Sequence, residues 1–319
     1  AVAIVIVSGS EEPSYNSLRN YLELSKKSEC DIVLGIGGGS CMDVAKAVGG
    51  LLTNSGDPLD FRGFDKVIIP GIPVYLAPTT AGTGSEASFN ASLVDTDSNK
   101  KLGINGINMF ARKSFLDGHA TISCPRRPAV GASVDAIVHA MEGYICKNSN
   151  LFSDMFAETA IGLMVNSILD LNEEIPDLNK RLNLLKGAYL AGVVQMNSGS
   201  GIAAAISYPL SVFYKVPHGI GGGIFLLGIA RINESKGFRK YDNLLKLIPD
   251  SGHDNFLSHM EDIFSRLDVP CDLSIFNIHK DNKNHLCEIM KTQQPAFDQN
   301  PYHFSAEEDF PNFIENYLT

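Results

Sequence analysis

The sequence predicts an α/β N-terminal domain followed by an all-α C-terminal domain, and three observations carry that prediction. Short apolar runs alternate with helical patterns in the first part of the chain. Two of those runs end in loops rich in glycine, serine and threonine. Beyond Cys124-Pro125 the strand signals fade and helical patterns dominate to the C-terminus. Strand–helix alternation of this kind builds a parallel sheet covered on both faces. A boundary is expected near Ser123, dividing the chain into residues 1–122 and 123–319.

The bulk properties narrow the function classes. A chain of 319 residues has room for two domains with full cores. A net charge of −10 and the lack of a basic run speak against nucleic acid or an anionic membrane as partner. The longest apolar stretch, Gly221 to Ile232, is glycine-rich and too short to span a bilayer. Six cysteines with no CxxC spacing support neither a zinc cluster nor a disulfide framework. With no signal peptide in view, a reducing, cytoplasmic setting is expected.

Taken in order, Ala1 to Val7 reads as a buried strand ended by Ser8-Gly9-Ser10. Opening directly on an apolar strand is unusual for a complete domain, so a preceding N-terminal segment is expected. Asn16 to Lys27 has helical spacing of Leu18, Tyr21, Leu22 and Leu24. A second strand, Asp31 to Ile36, runs into four glycines within five positions, and a helix follows from about Cys41 to Leu52. Ser40 with Asp43 three residues on is expected to cap that helix. Glycines here let backbone N–H groups approach a diphosphate, and the helix start adds unpaired N–H groups. The turn is thus either a pyrophosphate cradle or an ordinary tight strand-to-helix turn.

A third strand, Val74 to Ala77, leads into Pro78-Thr79-Thr80-Ala81-Gly82-Thr83-Gly84-Ser85-Glu86. This is either a second nucleotide-facing loop or a Ser/Thr-rich surface turn. Two such loops after strands of one sheet share the carboxyl edge where ligands bind, which favours the nucleotide reading. Leu93 to Ile104 reads as a polar hairpin with Asp95 to Asn99 at its tip. In the helical half, Asp135 and His139 share one helix face at i, i+4. They either chelate a divalent metal or hydrogen-bond inside the core. His218 sits in a Pro/Gly corner, as a ligand or a surface-turn residue, while His253, His259, His279, His285 and His303 lie in polar segments and read as solvated.

Gly37-Gly38-Gly39-Ser40 with Asp43 and Lys46, then Pro78 to Glu86, then Asp135 with His139, then Pro217-His218-Gly219, resemble in order the iron-containing (group III) alcohol dehydrogenases. The resemblance implies the fold shared with dehydroquinate synthase: a dinucleotide-binding α/β domain and a helical metal domain with the active site in the cleft between them. It implies that Gly37, Gly38, Gly39, Ser40 and Asp43 handle the pyrophosphate of NAD or NADP. Thr79, Thr80, Thr83 and Ser85 would surround the rest of the cofactor, with Lys101 on the nicotinamide side. It further implies Fe²⁺ or Zn²⁺ on Asp135, His139 and His218, a small alcohol or aldehyde as substrate, and a homodimer. The family's fourth ligand position falls on Ala204, which cannot coordinate, and a nearby active-site histidine position falls on Tyr208. Tyr208 and Lys101 are the candidate proton-handling residues. Ser207-Tyr208-Pro209-Leu210-Ser211 with His218 to Gly221 is similar to a subgroup that includes the 3-deoxy-manno-octulosonate 8-oxidase, which implies a polar, sugar-like primary alcohol. The alternatives are a lyase of the dehydroquinate synthase type, with Arg126, Arg127 and Lys147 as its nearby cations, or a metal-depleted, non-catalytic nucleotide-binding paralogue.

Overall fold

The structure, a computed structural model, describes residues 12–98, 100–248 and 252–319. The strand expected over Ala1 to Val7 lies outside the described residues. Helix α1 (Tyr15–Lys27) starts where the Ser14 hydroxyl accepts from the Ser17 N–H, and it buries Tyr15, Leu18 and Leu22. Strand β1 (Val33–Gly37) leads into α2 (Gly39–Leu51), and β2 (Gly63–Phe64) and β3 (Val74–Pro78) follow. Strands β4 (Asn90–Asp95), β5 (Lys100–Asn105) and β6 (Lys113–Ser114) complete two three-stranded sheets, ordered β1-β3-β6 and β2-β5-β4.

Strands β1 and β3 pair in parallel from Val33 opposite Val74 to Gly37 opposite Pro78. Both polar loops therefore leave from neighbouring carboxyl ends of one sheet, where open α/β sheets bind ligands. One face of β1 rests on α2, while Leu34 and Ile36 on the other face are exposed among the described residues. The hairpin forms with Asp95 opposite Lys100, but it is half-buried, because Ala91, Leu93 and Ile104 enter a core with α1 and α2.

From residue 126 onward the regular elements among the described residues are helices. Helices α3 (Arg126–Ile145), α4 (Leu151–Val165), α5 (Leu178–Ser198), α6 (Ile202–Tyr214) and α7 (His218–Ser235) surround the largest core. Shorter helices follow: α8 (Asp242–Leu245), α9 (Phe256–Arg266), α10 (Lys283–Lys291), α11 (Gln294–Phe297) and α12 (Phe310–Ile314). Helix α3 packs on α4, α5 and α7, and α6 packs on α7. Among the described residues no helix is long and apolar enough to cross a membrane.

The start of α2 differs from expectation. Gly38, not Ser40, is the N-cap, with no side-chain cap bond, so Ser40 already lies in the first turn. The reason is tertiary, since Asp43 is occupied by the second loop instead of the helix start. Its carboxylate accepts from the Ser85 hydroxyl at 2.6 Å and the Ser92 N–H at 2.9 Å. One turn on, Lys46 is fully buried. Its ammonium donates to the Ser85 carbonyl at 2.8 Å, the Ser88 hydroxyl at 3.0 Å and the Asn90 carbonyl, and lies 3.2 Å from Asp43. A buried cation is tolerable only when its donors are met in this way. Lys46→Met keeps the apolar stem and deletes the ammonium, leaving Asp43 and the carbonyls of Ser85, Ser88 and Asn90 short of a donor. It is expected to lower unfolding stability by about 3 kcal/mol, read as a shifted urea midpoint.

Candidate functional site

A cleft of about 830 Å³ opens between the carboxyl edge of the sheet and the helices. On the sheet side it is lined by Gly39, Ser40, Asp43, Thr83 and Lys101, and on the helical side by Asp135, His218, Arg126, Arg127 and Lys215. The Met42 N–H is the first of α2 to find an intrahelical acceptor, the Gly38 carbonyl at 3.1 Å. The earlier N–H groups of the turn have none, which makes this helix start suited to a phosphate. Gly39 is glycine for a steric reason as well. A Cβ there would stand 2.6 Å from the Thr83 side chain, so the two loops can meet only because it is missing.

The other loop residues separate. Thr83 lines the cleft, and its hydroxyl accepts from the Ser85 N–H at 3.2 Å. Ser85 is buried and spent on Asp43. The Thr79 N–H bonds to the Gly37 carbonyl at 2.9 Å, and Thr80 packs beside Gly38. Thr79 and Thr80 border a separate, much smaller void near Thr121 and Arg181. Glu86, at the loop's end, is buried with Oε1 unpartnered, and burial pushes its carboxyl up to about 7.

Asp135 and His139 lie one turn apart on α3, and His218 is the first residue of α7. Their ligand atoms all fall within 4.8 Å of one another. Asp135 Oδ1 is 3.7 Å from His139 Nε2 and 3.9 Å from His218 Nε2. These are too long for hydrogen bonds, and close to the roughly 3.4 Å edge of a tetrahedron with 2.1 Å metal–ligand bonds. His139 Nδ1 is buried without a partner among the described residues. Burial lowers His218 to about 4, with Asp135 opposing and Lys101 assisting, so its imidazole is neutral at pH 7 and has a lone pair to give. Ser207 Oγ donates to the Ala204 carbonyl at 2.7 Å and sits 2.9 Å from His218 Nδ1 and 3.3 Å from Nε2. Ser207 Oγ thus lies against the ring edge between the two nitrogens and holds the ring beside Asp135. The donor set fits a divalent ion.

Tyr208 packs edge-on against His218, with ring centroids 4.7 Å apart. Burial raises its hydroxyl pKa, with Lys101 pulling the other way, so it holds its proton at neutral pH. Lys101 Nζ lies 2.9 Å from Glu12 and 5.5 Å from the Tyr208 ring centroid. Burial acts against its charge, but Glu12 and Tyr208 outweigh that and raise its pKa overall. Ala204 is buried in the first turn of α6. There the Glu142 carboxylate accepts from the N–H groups of Gly201 at 2.8 Å, Ala203 at 2.6 Å and Ala204 at 3.2 Å. Glu142 lies on α3 one turn past His139, so the helix that carries Asp135 and His139 also anchors the start of α6.

Glu12, Ser207 and Glu142 were not singled out in the sequence. Ser207 and Glu12 carry no local signal, whereas an acid three residues after His139 in an otherwise apolar helix was visible. Of the histidines read as solvated, His259 is half-buried, with Nδ1 unpartnered and its ring 5.1 Å from His253. His285 accepts its environment from Tyr214, whose hydroxyl is 2.7 Å from Nδ1.

Two family models divide the chain: "Iron-containing alcohol dehydrogenase" over residues 1–118 and "Fe-containing alcohol dehydrogenase family, C-terminal" over residues 129–311. The chain belongs to the iron-containing alcohol dehydrogenase family. Among curated family members, the 1,3-propanediol dehydrogenase of Klebsiella pneumoniae is 28% identical over 78% of this chain and 65% of its own length. Long-chain-alcohol dehydrogenase 1 of Geobacillus thermodenitrificans is 30% identical over 78% of this chain and 63% of its own. The match thus spans a little under two thirds of those relatives. The sulfoacetaldehyde reductase of Bifidobacterium kashiwanohense, solved in complex with NAD+, superposes on 100% of this chain and 84% of its own with a TM-score of 0.89. At 24% identity that likeness establishes the fold.

Burial raises Glu142 from the ordinary 4.5 to about 7, against the pull of its three N–H donors. The folded state therefore holds this proton more tightly than the unfolded chain, so the stability it contributes falls as pH rises from about 4.5 to 7. Glu142→Gln is expected to flatten that part of the curve of urea midpoint against pH, leaving the slope due to Glu86.

Proposed function

We propose that the protein is a metal-dependent, NAD(P)-linked oxidoreductase that interconverts a primary alcohol and its aldehyde. The observation that carries this reading is the single cleft lined by both the glycine turn before α2 and the Asp135/His218 end of the donor cluster. In this reading residues up to about 122 bind the dinucleotide and the helices beyond hold metal and substrate. Asp135, His139 and His218 would hold Fe²⁺ or Zn²⁺, and the α2 start with Thr83 would hold the pyrophosphate of the cofactor. When bound, these groups supply Lewis-acid polarisation of the substrate oxygen and a nicotinamide to exchange hydride.

The protein's own residues set the conditions for that exchange. Ser207 packs against the His218 ring, and the Asp135 carboxylate faces the imidazoles of both His139 and His218. Tyr208, whose ring walls the cluster and whose hydroxyl keeps its proton, would serve as proton donor to the substrate oxygen. Lys101, kept charged by Glu12, fixes the local potential instead of shuttling protons. Arg126, Arg127 and Lys215 lie along the cleft, where they can meet phosphate oxygens. Orientation of the two reacting carbons and exclusion of water then account for the rate.

Purified protein loaded with Fe²⁺ or Zn²⁺ is expected to form NAD(P)H from primary alcohols, followed at the nicotinamide absorbance. His218→Ala is expected to lose bound metal by elemental analysis and to cut kcat by about a hundredfold or more. Ser207→Ala, which frees the ring without removing a ligand, is expected to weaken metal binding about tenfold. Ala204→His is expected to tighten it. Cofactor binding without turnover under either metal would sink the dehydrogenase reading and favour a non-catalytic nucleotide-binding protein.

A further inference from the structure

Helix α4 is apolar on both sides. Its inner side buries Ala157, Ala160, Ile161, Met164 and Val165, and the helix packs on α3 and α5. Its outer side exposes Leu151 by 71%, Phe152 by 71%, Met155 by 56% and Phe156 by 38%. Among the described residues every other α-helix exposes at most one large apolar side chain. None of the four lines the cleft. A helix that is apolar all round is ordinarily a buried one.

The polar groups of α4 are all turned to partners within the chain. Thr159, one turn past Met155, is exposed, but its hydroxyl donates to the Met155 carbonyl at 2.8 Å. The two charged residues of the helix are also committed. Asp154 pairs with Lys240 at 2.7 Å, and Glu158 accepts from the Tyr144 hydroxyl at 2.8 Å. Asn150 accepts from the Phe152 and Ser153 N–H groups, which takes up the helix start. Lys147, just before the helix, donates to the Asp298 carbonyl at 2.7 Å. A helix that settles on an anionic lipid surface carries Lys or Arg beside its apolar side, and α4 contains neither.

We infer that the outer side of α4 is where two copies of this chain pair, around a two-fold axis close to Met155. Leu151, Met155 and Thr159 follow one another at i, i+4 spacing with Phe152 and Phe156 beside them, so Met155 is the centre of the stripe. A two-fold contact sets a surface against itself. Any charge near the axis then faces its own copy, which a chain of net charge −10 can ill tolerate over most of its surface. This stripe carries no charge. For the same reason it offers nothing by which a different protein would be selected through charge. At roughly 200 Å² per large apolar side chain, the four expose about 470 Å². That is more than half of the roughly 800 Å² that each partner gives a standard interface, with a polar rim supplying the rest.

Light scattering on the full chain at micromolar concentration is expected to give twice the mass of its Phe152→Glu and Met155→Glu variants. Each glutamate is expected to weaken the pairing about a hundredfold and to leave the circular dichroism unchanged. Met155→Cys, oxidised with copper–phenanthroline, is expected to run as a covalent dimer on a non-reducing gel. The unaltered chain, whose Cys271 is exposed, is expected not to. Should a glutamate variant misfold, the cysteine variant still decides. A monomer at every concentration with no crosslink through position 155 overturns the pairing. An assembly whose mass both glutamates leave unchanged uses another face and overturns it as well. Flotation of the chain with phosphatidylcholine–phosphatidylglycerol vesicles, lost in Phe152→Glu, would assign the stripe to lipid and overturn it too. The dehydrogenase reading is untouched by each of these outcomes.

Discussion

Water cannot reach the ammonium of Lys46, and much of the sheet half follows from that constraint. A cation at that depth must be surrounded by acceptors, and they come from one segment, Ser85 to Asn90. The lysine therefore pins the second loop to α2, and Asp43 reinforces the seam from one turn earlier. Once the loop is pinned, Thr83 lies over Gly39 and the two loops share one edge of the cleft. Asn90, whose carbonyl is one of the acceptors, is thereby held at the start of β4.

The helical half solves a similar problem with the opposite charge. Glu142 is buried at the end of α3 and is met by three backbone N–H groups at the start of α6. Those N–H groups would otherwise be left without partners, so one carboxylate satisfies the helix start while the helix start offsets the burial of the carboxylate. The consequence for the site is positional. Helix α3 carries Asp135 and His139, and α6 carries Ser207 and Tyr208, so their mutual register depends on this contact. His218 joins them through Ser207, which ties α7 to α6.

The Ala204 position brings the chemistry of the cluster into focus. Three donors converge there, and Ala204 turns its N–H, not a side-chain donor, toward the Glu142 carboxyl. Beside it, Tyr208 contributes a hydroxyl that keeps its proton. The site is thus less basic than a histidine-rich one. Its local field is set by Asp135 on one side and the Lys101–Glu12 pair on the other.

The sequence by itself determined the order of the parts, because that information is local. Periodicity marked α1, β1, β3 and the hairpin, glycine and hydroxyl content marked the two loops, and i, i+4 spacing put Asp135 and His139 on one face. Tertiary structure alone decided which polar groups meet. Nothing in the spacing of Ser40 and Asp43 tells that Asp43 serves the distant loop and not its own helix start, since a carboxylate takes the best donors available in space. Lys46, Glu12, Ser207 and Glu142 act across 11 to 89 residues of chain, and such pairings depend on burial, which sets the cost of leaving a charge or a hydrogen bond unmet.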